Sequence, residues 1–472
     1  MTDYVSQYRF LGRNSVQIAY FNAFKGHIRN PGMGVVSMAV SDHMTTGYTP
    51  EARAAADLEK PFELTREMLK EVTALGYIDN LYIRVGWNDV QREKGRLALS
   101  PAFEMSVEAA EEAGLSWGFR IMQASPSGPA RHEIPEFLAE RLPLHPYYNG
   151  QTYGPRPKML PLYTDEYLKY WGEMLMLLGE RFDRDPALEY GDMSGFGLWG
   201  EGHHGCNVSP GVWEVLELDP PEKKEQIIHT LIENHLAAFP STPMVLNQIF
   251  AEYEAGREAI ANGCWVRRDS YYGWFEARQA EAGLLRRGDA AMIFETVMPG
   301  IDIQDDDDPS FRHSFMEAPE KMCDYGAHYG IIGFNPPDTL YTDHMTPQLF
   351  SSFKNRVGYR LRPSVVWKIR SRGDGWSLVL GMVNDGCANP PGDLTFYAES
   401  NGRKSSVSVN GACFEGRMHL VELPLPNGYG DTVHLSMSLK IGGKIRPVRF
   451  AADVRAAEAP YKLRVSLNHG SK

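Results

Sequence analysis

Runs of four to eight apolar residues recur along the first three quarters of this chain, separated by longer stretches with apolar positions at helical spacing. The first run, Val35 to Val40, follows a leader containing Asn30, Pro31 and Gly32, and predicts a strand. Further strands are predicted at Asn80 to Trp87, Leu115 to Met122, Tyr190 to Gly200, Met244 to Phe250, Cys264 to Asp269, Ala290 to Thr296 and Tyr329 to Phe334. Helical spacing falls between or after them, at Pro61 to Leu75, Pro101 to Ala113, Thr164 to Phe182, Pro221 to Ala238, Glu252 to Ala261, Tyr272 to Leu285 and Thr346 to Arg356. Gln123 to Leu162, rich in Pro, Gly, Tyr and His, reads as a long loop of the kind that builds binding clefts.

Eight such units over roughly 320 residues favour a closed (β/α)8 TIM barrel over an open doubly wound sheet. Beyond Tyr359 the pattern changes to short strands divided by turn residues: Val365 to Arg370, Trp376 to Val383, Leu394 to Ala398 and Thr432 to Leu439. This predicts a smaller antiparallel β-sandwich. The expected division is therefore α/β, with a barrel and leader over 1–357 and a sandwich over 358–472. The sandwich is expected to pack against the barrel or to help orient substrate.

Composition narrows the classes. At 43% hydrophobic and 23% charged residues the chain reads as globular, neither disordered nor collagen-like. Sixty acidic against 48 basic residues give a formal charge of -12 and no general reason to bind nucleic acid. No window of eighteen apolar residues predicts a membrane span, and the start MTDYVSQYRFLGRNS lacks the pattern of a secretory signal, so a cytoplasmic location is expected. Five dispersed cysteines, Cys206 among them, predict no disulfide framework and no metal knuckle. No cofactor is expected, and a homo-oligomer is left open.

Two carboxylates carry the candidate chemistry. The segment Tyr190-Gly-Asp-Met-Ser-Gly-Phe-Gly-Leu-Trp-Gly-Glu-Gly-His-His204 should present Glu201 where the fourth strand leaves the barrel, and the run Ala290-Ala-Met-Ile-Phe should do the same for Glu295 on the seventh. A carboxylate pair at strand exits suits glycoside hydrolysis: Glu201 as the protonated acid and later the base, Glu295 as the nucleophile. A separation of about 5 to 5.5 Å would favour retention and about 6.5 to 9.5 Å inversion. Structural ion pairing is the alternative for each.

Around the pair, Arg84 is expected to orient the nucleophile or bind substrate, and Trp87 to pack beside a sugar face, with Asn88 nearby. His203 and His204 are candidates for a sugar contact, not a metal pair, because adjacent side chains diverge and no third and fourth ligands appear at diagnostic spacing. Asn247 and Gln248 near the fifth strand exit, and Arg267, Arg268, Asp269 and Tyr271 near the sixth, are candidate hydroxyl-binding groups. Asp269 also competes with the proposed pair as another emergent carboxylate. Tyr329 and Asn335 are further eighth-strand candidates. Asp305 to Asp308 lacks the EF-hand pattern and reads as a solvated loop, and Asn207-Val-Ser209 is a formal glycosylation acceptor of little weight.

Over residues 30–356 the chain resembles the retaining (β/α)8 glycoside hydrolases, and within them β-galactosidase-like families and an uncharacterised family sharing the glycine-rich fourth strand. The resemblance implies acid/base and nucleophile roles for Glu201 and Glu295. It also matches Arg84 to a frequent second-strand arginine, and Arg84-Val-Gly-Trp-Asn-Asp-Val-Gln-Arg-Glu-Lys-Gly95 to a segment that brings an aromatic residue into the site. Many such enzymes place Asn immediately before the acid/base to bind the sugar 2-hydroxyl, whereas this chain has Gly200. The expected substrate is a β-galactoside or β-glucoside. Arg84, Arg120, Arg267 and Arg268 keep a uronoside in view, and a noncatalytic carbohydrate-binding barrel is the reading from a different class.

Overall fold

The structure, a computed structural model, describes residues 14–40, 64–125, 130–147, 158–204, 221–271, 286–296, 319–334, 347–371, 375–416, 418–454 and 461–467. A first strand, β1 (Val16–Tyr20), precedes β2 (Gly34–Val40), β3 (Asn80–Gly86) and β4 (Ser116–Met122). A hairpin follows, β5 (Leu144–Tyr147) with β6 (Lys158–Pro161). Then come β7 (Leu188–Asp192), β8 (Met244–Asn247), β9 (Trp265–Tyr271), β10 (Met292–Thr296) and β11 (Tyr329–Phe334). Strands β2, β3, β4, β7, β8, β9, β10 and β11 pair in parallel, in that order, and β11 returns to β2. The expected eight-stranded barrel is therefore closed.

Strand alternation divides the core in two. Leu81, Ile83 and Val85 of β3, Trp117 and Phe119 of β4 and Phe294 of β10 face outward into a cluster with the helices. Helix Asp165–Phe182 contributes Tyr167, Trp171, Met174, Leu175 and Leu178, positions at the 3-4 spacing of one helical face. Thr164 starts this helix by accepting from Tyr167 N at 3.2 Å, and Ser100 caps Pro101–Glu112 likewise from Phe103 N at 3.4 Å. The other parity faces inward: Tyr82, Tyr190, Val245, Trp265, Ile293 and Tyr329 share a cluster with the sandwich.

That sandwich has two antiparallel sheets. In one, β1 pairs with β12 (Leu361–Arg370), which continues to β13 (Trp376–Asn384). In the other, β14 (Asp393–Ser400) lies beside β15 (Arg403–Asn410). β16 (His419–Pro424) completes the first sheet, and β17 (Thr432–Ile441), β18 (Lys444–Val448) and β19 (Leu463–Ser466) the second. The sandwich meets the N-terminal ends of the barrel strands. Arg446 binds Glu189 (Nη2 to Oε1, 2.8 Å), Lys444 Nζ donates to Leu188 O at 2.7 Å, and Tyr359 OH donates to Pro31 O at 2.8 Å. Of its two expected roles, these contacts perform packing against the barrel, at the end away from Glu201 and Glu295.

Several local expectations change. The fourth barrel strand runs only from Leu188 to Asp192, not to Gly200, because the glycines beyond it turn the chain back on itself. The fifth ends at Asn247, whose side-chain oxygen accepts from Ile249 N at 3.1 Å and opens a 3-10 turn over Gln248–Glu252. Within the expected loop 123–162 lie a short helix, Glu136–Ala139, and the β5/β6 hairpin. The helix expected at 272–285 lies outside the described residues. No described helix is long and apolar enough to cross a membrane.

Candidate active site

The inward positions are layered. Tyr82, Tyr190, Trp265 and Tyr329 form an aromatic floor, with Tyr190 centroids 6.1, 6.1 and 5.7 Å from Tyr82, Trp265 and Tyr329. Two residues further along the same strands the inward side chains become charged: Arg84 after Tyr82, Asp192 after Tyr190, and Arg267 then Asp269 after Trp265. Arg120, Asn247 and Glu295 occupy equivalent inward positions on β4, β8 and β10. All seven are buried. A dry aromatic base thus supports a polar layer at the C-terminal mouth, where (β/α)8 enzymes place their chemistry.

Asp192 anchors the layer. Its Oδ2 accepts from Tyr82 OH at 2.5 Å, Arg267 Nη1 at 2.5 Å and Arg120 Nη2 at 3.1 Å. Neither Asp192 nor Tyr82 was a candidate from the sequence. The available signal was strand parity, since both share an inward face with candidates already named. Arg120 reaches onward to Glu201 Oε1 at 2.5 Å and Asp269 Oδ2 at 3.7 Å. Arg267 donates through Nε to Asp269 and through Nη2 to Glu295 Oε2. Two buried guanidinium groups therefore tie Glu201, Asp269 and Glu295 into one network.

Glu201 arrives from a loop nine residues beyond the end of β7. Gly195, Gly197 and Gly200 take φ of 99, 82 and 76°, and Trp199 takes 52°. Tyr163 OH accepts from Gly197 N at 2.9 Å, Tyr167 OH donates to Gly195 O at 2.6 Å, and Trp199 N donates to Ala124 O at 2.9 Å. The loop closes on itself through Leu198 N to His203 O, 2.6 Å, and Gly202 N to Phe196 O, 3.0 Å. Gly200 has a physical reason to be glycine: besides its positive φ, a Cβ there would lie 2.5 Å from Ser194 Cβ. A side chain at this position would have to displace Ser194.

The carboxyls differ in charge preference. Burial disfavours the charged form of Glu201, but Arg120, His203 and Arg84 outweigh it and hold this carboxyl well below the usual range. Asp269 moves the opposite way. Burial raises it, the charge of Glu201 adds to the rise, and Arg267 and Arg120 only partly oppose it. The two carboxyls are therefore pushed in opposite directions by the same network, Glu201 down and Asp269 up.

Other expected site residues scatter. Arg84 Nη1 stands 3.9 Å from Glu201 Oε1, and His203 Nε2 lies 3.3 Å from Glu201 Oε2 with its side chain 31% exposed toward the mouth. His204 instead turns inward, with Nε2 2.9 Å from Tyr163 OH, and burial lowers it to about 3. Trp87 is fully buried behind the barrel, edge-on to Trp171 at 5.0 Å, with Nε1 donating to Gln91 at 2.9 Å. Its ring belongs to the helix-facing core because β3 ends at Gly86 and the chain turns outward, so the expected sugar-stacking role is corrected. Asn88 follows it, with its N–H donating to Glu133 O at 2.9 Å.

Asn247 donates to Asp269 Oδ2 at 2.5 Å, so it serves the network directly. Arg268 has the outward parity and faces the Gln248 carboxamide at 2.8 Å. Tyr329 lies in the floor, at the opposite end from the mouth. The side chain of Tyr271, together with Cys206, Asn207, Ser209, Asp305 to Asp308 and Asn335, lies outside the described residues.

No family model matches the chain, and no curated protein matches it. Solved structures similar to it include the β-amylase catalytic domain of Paenibacillus polymyxa, at 9% identity over 61% of this chain and 92% of that one, TM-score 0.40. Endo-glycoceramidase II from Rhodococcus sp. is similar at 11% identity, 86% and 99% coverage, TM-score 0.41. The exo-β-1,4-mannosidase Op5Man5 of Opitutaceae bacterium strain TAV5 follows at 13%, 71% and 57%, TM-score 0.40. The barrel assignment rests on the strand pairing described above, independently of these matches.

Proposed function

We propose that this chain is a retaining glycoside hydrolase acting on a β-glycoside, a β-galactoside or β-glucoside in the first instance, with Glu295 as nucleophile and Glu201 as acid/base. The observation that carries the reading is the joining of Glu201 and Glu295, from the loop after β7 and the end of β10, through Arg120, Asp269 and Arg267 at the barrel mouth. Arg267 supplies the charge partner that an ionised nucleophile requires, and also fixes its direction. Attack by Glu295 on the anomeric carbon would form a glycosyl ester as Glu201 protonates the departing oxygen. Glu201 would then take a proton from the water that cleaves the ester.

The arginines that kept a uronoside in view are largely committed to the protein's own carboxylates. Arg120 serves Asp192 and Glu201, and Arg267 serves Asp192, Asp269 and Glu295. A substrate carboxylate brought among four others would be repelled, which favours a neutral sugar.

The test is a panel of aryl β-glycosides offered to the wild type, E201Q and E295Q. Both variants are expected to lose at least about 100-fold in turnover of the best substrate, with folding retained. Wild-type turnover in both would reject the pair. Sugar binding without turnover by the wild type, unchanged in both variants, would instead support the noncatalytic barrel.

A further inference from the structure

The loop that carries Glu201 keeps one bulky side chain in a backbone conformation otherwise left to glycine. Gly195, Gly197, Gly200 and Gly202 take positive φ, and so does Trp199, at φ 52° and ψ 9°. Among the described residues the other non-glycine cases are Asn14 and Asn401, whose short amide side chains suit that region. A large ring does not, and strain of this kind collects where a side chain serves a site. Packing accounts for part of Trp199, which lies against the helix-facing core. The rest is accessible, and the ring stands beside that of His203, with centroids 6.1 Å apart and planes at 53°.

His203 places this pair of rings at the acid/base. Its Nε2 lies 3.3 Å from Glu201 Oε2, and its side chain is partly exposed. The other oxygen, Oε1, is bound by Arg120, whose guanidinium continues through Asp192 to Arg267 and so to Glu295. Glu201 therefore turns one oxygen to the side of the nucleophile and the other to the corner formed by Trp199 and His203. A glycosidic oxygen sits between the sugar attacked by the nucleophile and the group that departs. With Oε1 committed to a buried cation, Oε2 is the atom that meets the glycosidic oxygen, and the departing group comes to lie on the Trp199 side.

We propose that Trp199 is the platform of a leaving-group subsite, with His203 as its wall, and that this subsite takes a departing group with a flat apolar face: an aryl ring or the C–H face of a pyranose. The inference rests on the glycosidase reading above and adds the class of leaving group to it. An indole offers a large rigid face at low entropic cost, and Trp199 N, donating to Ala124 O at 2.9 Å, fixes where that face stands. In the first step the departing oxygen leaves with the electron pair of its bond to the anomeric carbon and takes a proton from Glu201, while Glu295 supplies the pair for the new bond. In the second step water, or an alcohol seated on Trp199, gives its proton to Glu201 as its oxygen bonds the anomeric carbon and Glu295 departs with its pair. The platform therefore matters while the glycosyl ester forms, and not when water breaks it.

That asymmetry separates binding from support of the loop. W199G removes the ring at a φ that glycine adopts freely. It is expected to lower kcat/KM for a phenyl glycoside about 30-fold, and kcat for a dinitrophenyl glycoside, where the water step limits, less than about 3-fold. W199F, which keeps a flat face, should stay within about 5-fold of the wild type on both. Equal losses in the two steps would mean that the ring only holds Glu201, which serves both, and no loss in either would remove it from the site; each result overturns the proposal. The wild type supplies an arm that needs no variant to fold. During turnover of the dinitrophenyl glycoside, transfer of the sugar to 2-phenylethanol or to methyl α-glucoside is expected to saturate with alcohol concentration, and transfer to methanol to rise linearly. Saturation by the first alcohol alone assigns the platform to aryl groups, and by the second alone to sugars; saturation by neither overturns the proposal. Failure of the parent reading is separately visible, because E295Q would then hydrolyse both glycosides like the wild type, and the subsite would fall with it.

Discussion

Arg120 Nη1 lies 2.5 Å from Glu201 Oε1, and this contact is made by a guanidinium wholly inside the barrel. The same group also reaches Asp192, so one buried cation compensates two carboxylates contributed by one loop and one strand. R120M should therefore destabilise the protein by roughly 3 to 5 kcal/mol, the range for breaking a buried ion pair from one side. Urea unfolding measures this, and a loss under about 1 kcal/mol would mean that the network relaxes around the gap.

The loop that carries Glu201 closes tightly at Gly197, where a Cβ would stand 2.4 Å from His203 O and 2.5 Å from His203 N. Both obstacles are backbone, and φ is 82°. G197A should open the loop and displace Glu201, lowering kcat by about 10-fold or more, since small misplacements of a reacting group are costly. Its global stability should fall by about 1 to 3 kcal/mol, because φ 82° with ψ 179° is a conformation essentially confined to glycine. A variant with unchanged kcat would detach loop closure from catalysis.

Trp87 separates a packing role from a binding role. W87A removes a buried ring in contact with Trp171 and Tyr167, and should cost about 3 to 5 kcal/mol of stability. At a temperature where the variant remains folded, KM should match the wild type. A raised KM with little loss of stability would return the ring to the sugar site.

Three buried histidines set an acid limb of stability. Burial lowers His204 and His328 to about 3 and His235 to about 4, against 6.5 when exposed. Their folded values lie below the unfolded one, so the stability they contribute is present above pH 6.5 and is lost as pH falls toward the folded values. At pH 5 each has cost about 2 kcal/mol, and unfolding should take up about three protons between pH 6 and 5. Asp269, with its raised value, works in the opposite sense: its contribution is complete below its unfolded value and fades as pH rises through the folded one. Urea midpoints across pH 5 to 7 check the limb, and a flat profile would contradict it.

Barrel strands were legible because burial on both faces leaves continuous apolar runs, as in the expected 80–87 against the observed Asn80–Gly86. Glu201 was legible as a residue but not in its placement. A hydrophobic pattern does not register left-handed glycines, and those at 195, 197 and 200 turn an apparent strand exit into a looped return. Trp87 misled for a related reason: one residue past the strand end, parity no longer predicts direction. Asp192 and Tyr82 were concealed by their strands' apolar appearance, although their parity with Tyr190 and Arg84 marks the inward face. β15, β16, β18 and β19 were passed over because their alternation is short and interrupted by charged residues on the exposed side, as in Arg403-Lys-Ser-Ser-Val-Ser-Val.

In the proposed reaction Glu295 attacks the anomeric carbon of a sugar. Incubation with 2-deoxy-2-fluoro-β-glycosides bearing dinitrophenyl leaving groups, followed by intact-mass and peptide analysis, tests it most directly, because the fluorine slows breakdown of a glycosyl ester. One added fluoroglycosyl unit is expected on Glu295, and none on E295Q. A label on Glu201 or Asp269, or turnover of the parent glycosides whose first-formed sugar has inverted configuration, would contradict it.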